Sequence, residues 1–415
     1  MEEDGGSDAR VVESMRRLLD AVPPGDDDPH TIFRLPAAVR ERHRDLYEPK
    51  VVSVGPYYHG SNGLGAAQRH KWRLLRDFLS RSAAAGLGAY VRAAREVEAE
   101  ARRCYAEGFD MGADEFAEML VLDGCFLLEF FLRKSEGQLA APGGAKWAWQ
   151  HMYHDVLLLE NQIPFLVVEK MHGVAFAGED GPDRDALLDI FCKAFAGDLP
   201  SSRIIRPASD KTIHHLLHLH YECNVRNPAV DSEKARNGGE ANGGASSLAI
   251  WKQPPVPSPR SGGDGAVKGR MTSMIPPAAK MEEAGVTFKR RATPRDVFDV
   301  SFRYGVLHMP AFVVDESVKV LLANLVAFEQ GGGRAARKLD GGNLMTGFVA
   351  LVGSLVNARR DVEVLRRSGI LHCMITDEEA VAYFSHVVQY TTMDYDRHLL
   401  ACLFRDIREH CHWNR

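Results

Sequence analysis

The chain has little that would carry it across a membrane or bind it to a nucleic acid. No apolar run approaches the roughly 18 to 20 residues of a spanning helix. Even MLVLDGCFLLEFFL at 119–132 is short and carries two carboxylates, so a soluble chain is expected. The start, MEEDGGSDAR, lacks the positive and apolar regions of a secretory leader, and none of the asparagines opens an N-x-[ST] sequon. Both absences favour a cytoplasmic setting. A net charge of −5 and a pI near 6.4 supply no concentrated positive surface, which disfavours nucleic acid as a partner. Seven cysteines, an odd number without a CxxC pair, read as reduced and mostly structural thiols.

Motifs for catalysis are equally scarce. GLGAYV (86–91) lacks the third glycine and the preceding strand of a dinucleotide loop, and GGGRAARK (331–338) lacks phosphate-loop spacing, so both read as helix breakers or loops. No GxSxG elbow, kinase signature set or S-x-x-K cluster occurs. In HHLLHLH (214–220), His214 and His218 stand one turn apart and offer two ligands to a metal, but the HExxH glutamate is missing. His410, Cys411 and His412 are adjacent and rarely converge on one ion. No cofactor and no metal are therefore expected.

What is present is a globular composition, 45% hydrophobic and 26% charged over 415 residues, patterned mainly at helical spacing. Residues 1–30 form an acidic leader with an amphipathic helix over 8–22, stopped by PPGDDDP. TIFRLP and KVVSVGPYY read as two strands or extended segments, and helices dominate from about Gln68 to Glu222. EFAEMLVLDGCFLLEFFLR (115–133), apolar on nearly every face, is the expected central helix, with further helices over 146–160 and from Pro164. Residues 224–270, rich in Gly, Ser, Asn and Pro, hold too little apolar surface to offset ordering and read as a flexible insertion, with PPVPSP and Ser258-Pro259 inside it. After it, VTFKRR, DVFDVSFRYG and AFVVDE predict a small antiparallel meander with Gly305 near a turn, then three helices, the last of which opens on a Thr376–Glu379 capping box; a terminal helix runs into RDIREHCHWNR. The expected fold class is α+β, predominantly α-helical: a large helical core with a small antiparallel sheet, residues 31–223 and 271–415 being two parts of one domain.

The residues that stand out are polar groups in apolar surroundings. Asp123, Glu129, Glu160 and Glu329 lie within or beside strongly apolar helical pattern, where burial raises a carboxyl pKa toward values suited to proton transfer. Glu160 and Asp123 are thus the candidate acids of a hydrolase or transferase. The competing reading is that each acid is matched by a basic group or a helix N-terminus. LLLENQIPF (157–165) favours that reading. Ile163 before proline disfavours helix, so one helix ends near Glu160 or Asn161 and the next begins at Pro164, with Asn161 and Gln162 serving the unpartnered groups of the corner. Glu329-Gln330 before Gly331 looks like a second helix end of the same kind.

Several blocks resemble the plant-specific family catalogued as domain of unknown function 247: LVLDGCFLLEFF, DVLLLENQIPFLVVEKM, IPPAAKMEEAGVTFK and the run from DVSFRYGVLHMP to LLANLVAFEQ. YEPKVVSVGPYYHG, His70-Lys71, ARRCYAE, DVEVLRRSGIL and ITDEEAVAYFSHV fit it as well, in order, from about Ile32 to beyond Val388. The resemblance implies a mostly helical plant domain with no established catalytic residues. Members typically carry one C-terminal hydrophobic anchor, and some grass members are linked to self-incompatibility. No such anchor precedes Arg415. The expectation is a non-enzymatic recognition or signalling protein with a protein partner, attached to the plasma membrane through an anchor where its full-length form carries one, with His70 and Lys71 as candidate partner contacts.

Overall fold

A computed structural model describes residues 5–21, 30–81, 85–138, 146–176, 183–199, 204–225, 274–331, 343–389, 391, 393, 398 and 400–413. The 224–270 insertion lies outside them apart from Asn224 and Val225, which are buried at the end of a helix.

Helix α1 (Gly5–Ala21) is the amphipathic helix of the leader, with Val11, Met15 and Leu19 exposed along it. Short turns α2 (Ala37–Arg40) and α3 (Arg44–Tyr47) lead to α4 (Gly65–Arg81), α5 (Leu87–Arg103) and α6 (Ala113–Ser135). As its pattern requires, α6 is the hub: from Phe116 to Phe131 every residue except Glu118 is buried, and α4, α5, α8 (Phe165–Phe176) and α9 (Arg184–Phe195) pack around it. Gly124 permits the close approach of α8, since a Cβ there would meet Met171 Cγ at 2.8 Å. Between α6 and α8 lies α7 (Lys146–Asp155), and α10 (Leu216–Asn224) closes the first part.

The second part holds α11 (Ala278–Glu283), α12 (Glu316–Gln330), α13 (Leu344–Leu355), α14 (Arg359–Arg367), α15 (Asp377–Gln389) and α16 (Ala401–Trp413). The capping box is present: Thr376 N–H and hydroxyl both donate to Glu379, whose own N–H donates back to Thr376 Oγ1. Helix α12 joins the two parts, packing on α3, α7 and α10 as well as α13. Its buried Asn324 accepts from Leu159 N–H at 2.9 Å and donates to the Leu46 carbonyl at 2.8 Å.

The structure corrects two expectations. The sheet is not an antiparallel meander. β2 (Ser301–Arg303) and β3 (Val306–Met309) form an antiparallel hairpin, but β1 (Thr287–Arg290) pairs parallel on the far side of β3, and β4 (Phe312–Val314) pairs parallel with β5 (Leu371–Cys373) in a separate two-stranded sheet. The hairpin turn puts Tyr304 and Gly305 at φ 51° and 73°, the left-handed pair that suits a two-residue connection. Residues 291–300 carry the chain from β1 to β2, one strand away and opposite in sense, and the hairpin then returns β3 between them, parallel to β1. Secondly, α7 stops at Asp155, five residues before Glu160, and residues 156–164 are non-helical though wholly buried. Of the two segments read as strands or extended, neither joins a sheet: residues 51–54 lie outside any strand, and the 31–35 segment contributes a bridge from Ile32 to Tyr105.

Candidate functional site

A buried non-helical segment must pair its backbone groups with something. Around 155–162 backbone turns pair Val156, Leu157, Leu158 and Asn161 N–H, and side chains take much of the rest. Asn161 donates to the carbonyls of Asp155 (2.8 Å) and Val52 (2.9 Å) and accepts from Val54 N–H (2.7 Å). Gln162 donates to the Val156 and Leu158 carbonyls at 2.8 and 2.7 Å and accepts from Leu217 N–H at 3.2 Å, in the first turn of α10. Asp155 accepts the N–H groups of Lys50, Val51 and Val52 at 3.0, 2.6 and 2.8 Å. Burial still pushes its carboxyl up to about 6, against those amides, which pull it down. Pro164 precedes α8 and accepts from Val167 N–H, while Phe165 N–H reaches the His214 carbonyl at 2.8 Å.

Glu160, 1% exposed, accepts from Leu35 N–H (2.8 Å), the Tyr58 hydroxyl (2.9 Å) and Arg40 (3.3 Å), with Arg34 Nε at 3.8 Å. It therefore anchors the 34–40 segment rather than the N-terminus of α8. Asp123 takes Gly55 N–H at 2.8 Å and forms an enclosed ion pair with Lys71. The backbone at Gly55 (φ +77°) runs so close to the corner that a Cβ would stand 2.2 Å from the Gln162 carbonyl oxygen, so only glycine fits. Glu129 is held by Arg81 at 2.8 Å and Arg133 at 2.7 Å. Glu329, at the end of α12, receives the Tyr221 hydroxyl (2.6 Å), the Met345 and Thr346 N–H groups (2.9 and 2.6 Å) and the Thr346 hydroxyl (2.7 Å), so it caps α13 from outside. Burial raises its pKa. Gln330 donates to Thr346 Oγ1 at 3.3 Å.

These acids do not converge on a reaction centre. Each is sealed beneath the chain it holds, and the hydrolase or transferase reading loses Glu160 and Asp123, which have no solvent-reachable face for a substrate. Lys71 is 1% exposed on the inner side of α4, bound to Asp123, and is therefore no partner contact; His70 is half-buried beside it. His214 precedes α10, and its N–H donates to His218 Nδ1 at 3.1 Å, which occupies that nitrogen. Among the described residues no group of three or more metal-ligating side chains assembles, and no helix is long and apolar enough to cross a membrane. All seven cysteines are free.

Open space lies on the other side of α7. A cavity of about 1160 Å³ sits between the end of α6, the turn after α9, the middle and C-terminal half of α7 and the start of α12. Trp149 stacks on Phe130 (centroids 4.6 Å apart, 21° between planes), Tyr153 lies nearly parallel to Phe130 at 6.5 Å, and Leu157, Val318 and Leu321 complete the apolar lining. The Lys134 ammonium stands 4.0 Å above the Tyr153 ring, donates to the Ala194 carbonyl and lies 3.8 Å from Asp198; burial lowers its pKa. Asp198 also accepts from the Tyr153 hydroxyl and faces His220 Nε2 at 3.0 Å. Burial lowers the His154 pKa at the rim. None of this lining was singled out from the sequence. KWAWQHMYH does set Trp149 and Tyr153 four residues apart, on one helix face, but their meeting with Lys134 and Asp198 is tertiary.

A second surface stands at the β2–β3 turn. Tyr304 is fully exposed and Trp413 is 83% exposed. The elements that carry them touch: α16 packs on β2, His410 meets Phe302 edge to face at 5.4 Å, and a Cβ on Gly305 would meet His410 Cε1 at 2.9 Å.

Comparison with known proteins gives relatives but no chemistry. The profile of DUF247, described as a plant protein of unknown function, matches residues 32–415. The UPF0481 protein At3g47200 of Arabidopsis thaliana is 27% identical over 387 residues, covering 91% of this chain and 76% of the relative. The putative UPF0481 protein At3g02645 of the same plant is 23% identical over 420 residues, 84% of this chain and 76% of the relative. No solved structure matches.

Proposed function

Because the chain belongs to the DUF247 family of plant proteins of unknown function, which assigns it no reaction, we propose its role from surface chemistry: non-enzymatic recognition of a protein partner. The observation that carries this reading is two exposed aromatics, Tyr304 at the β2–β3 turn and Trp413 on α16, the helix that packs on β2. A tyrosine wholly in solvent at a hairpin tip, with a tryptophan on the helix packed beneath it, contributes little to folding. Such side chains bring large contact area at low entropic cost, and tyrosine and tryptophan dominate binding energy at protein interfaces. The family resemblance extends this reading to recognition or signalling in self-incompatibility, that is pollen recognition, by a cytoplasmic chain held at the plasma membrane where the full-length protein carries an anchor.

Replacing Tyr304 by a photocrosslinking phenylalanine derivative in the full-length protein tests this in plant tissue, with the same residue at exposed Glu118 as control. A discrete covalent adduct from position 304 and none from 118 is expected. Identical patterns from both positions, or no adduct at 304, would overturn the reading.

A further inference from the structure

The cavity beside α7 is separate from that aromatic edge and has its own chemistry. We propose that it binds a small amphipathic acid: a ring-containing apolar body against Trp149, Phe130 and Leu321, and one carboxylate or sulfonate on the Lys134 ammonium.

Three observations lead there. About 1160 Å³ accommodates a whole drug-sized molecule rather than a few waters. The aromatic side chains of the lining, Phe130, Trp149 and Tyr153, with Leu157 and Leu321, favour a ring-containing apolar body. The charges along the lining then set the sign of the head group. Arg133 is neutralised by Glu129 and Asp77, at 2.7 and 2.6 Å. Asp315 caps α12, accepting Val318 N–H at 2.8 Å. Asp198 is divided among the Tyr153 hydroxyl, His220 and Lys134. Lys134 is left with a carbonyl and one shared carboxylate at 3.8 Å, an ammonium drawn partly out of water without a full counter-charge. An anion completes it, and the low-dielectric lining strengthens the pairing. In the same wall the Trp149 indole N–H, on a residue 3% exposed, has no acceptor, and a polar atom on the ligand's ring system satisfies it.

Two dyes of matched body test both halves: 1-anilinonaphthalene-8-sulfonate, which carries the anionic head, and N-phenyl-1-naphthylamine, which lacks it. Titration of the intact chain is expected to give saturable fluorescence enhancement by both, one molecule per chain, with the sulfonate tighter. Lys134→Met keeps the stem and removes the charge. It is expected to weaken the sulfonate about tenfold while leaving the neutral dye within about twofold. Ser317→Trp, which puts bulk into the lining and belongs to no ion pair, is expected to remove both dyes with the melting temperature unchanged, so the site remains testable even if Lys134→Met does not fold. No saturable binding to the wild-type chain, equal loss of both dyes in Lys134→Met, or binding that survives Ser317→Trp would each overturn the proposal.

Discussion

The two sides of α7 treat polarity in opposite ways. Behind its C-terminus, Asp155, Glu160, Asn161 and Gln162 lie in full burial and end on backbone groups or bases. Along its other side, Trp149 and Tyr153 line a cavity, with an under-neutralised ammonium over the Tyr153 ring. The residues that draw attention in the sequence are those committed to structure, and the residues that line the cavity read as ordinary core. Buried acids here act as staples. They hold residues 34–55 against the helical body where a β-sheet would otherwise have done so, with Asp123 and Asp155 contributed by different helices and Glu160 by the corner between α7 and α8.

That contrast can be broken most severely at the Asp123–Lys71 pair. Lys71→Met leaves a buried carboxylate with only Gly55 N–H opposite it and is expected to cost about 3 to 5 kcal/mol in denaturant unfolding. Glu160→Ala leaves Leu35 N–H, the Tyr58 hydroxyl and Arg40 without their acceptor, and a loss of about 2 to 4 kcal/mol should appear in thermal melts; an unchanged melt would refute the anchoring role. A subtler probe is pH. The folded carboxyl of Asp155, at about 6, lies above the value near 3.9 of an unfolded chain, so the folded state holds the extra proton between them. Its contribution is therefore complete below about pH 4 and is lost as pH rises through 6. Relative to Asp155→Asn, the wild type should lose about 1 to 3 kcal/mol between pH 4 and 7, read as the difference between two stability curves. Away from α7, at the β2–β3 turn, Tyr304→Ala should change stability by no more than about 0.5 kcal/mol in denaturant unfolding.

Much of the fold was legible because local patterns and tertiary demands agree there. The apolar wrap of α6, the Thr376–Glu379 cap and the Gly305 turn follow from spacing alone. So does the corner: proline after Ile163 and the two amides foretold a helix end served by side chains. What was not legible is which groups those side chains serve. Gln162 reaches the first turn of α10, 55 residues on, and Glu160 holds Leu35, 125 residues back; no periodicity encodes either partner. The end of α7 was placed too late because Leu157 to Leu159 continue a helical apolar pattern, although their backbone is already turning and paired with Gln162 and Asn324. Parallel pairing of β1 was hidden for the same reason, since strand sense depends on the path of residues 291–300. The cavity lining looked like core because aromatic and aliphatic residues at helical spacing carry no mark of the space beside them.

The stapling account is tested most directly by native-state hydrogen exchange over residues 50–55. Lys50, Val51 and Val52 donate to Asp155, Val54 to Asn161 and Gly55 to Asp123, and none lies in a helix or strand. The account predicts slow exchange of these amides, released selectively in Asp155→Ala and Asn161→Ala. Exchange in the wild type as fast as in an open loop would contradict it.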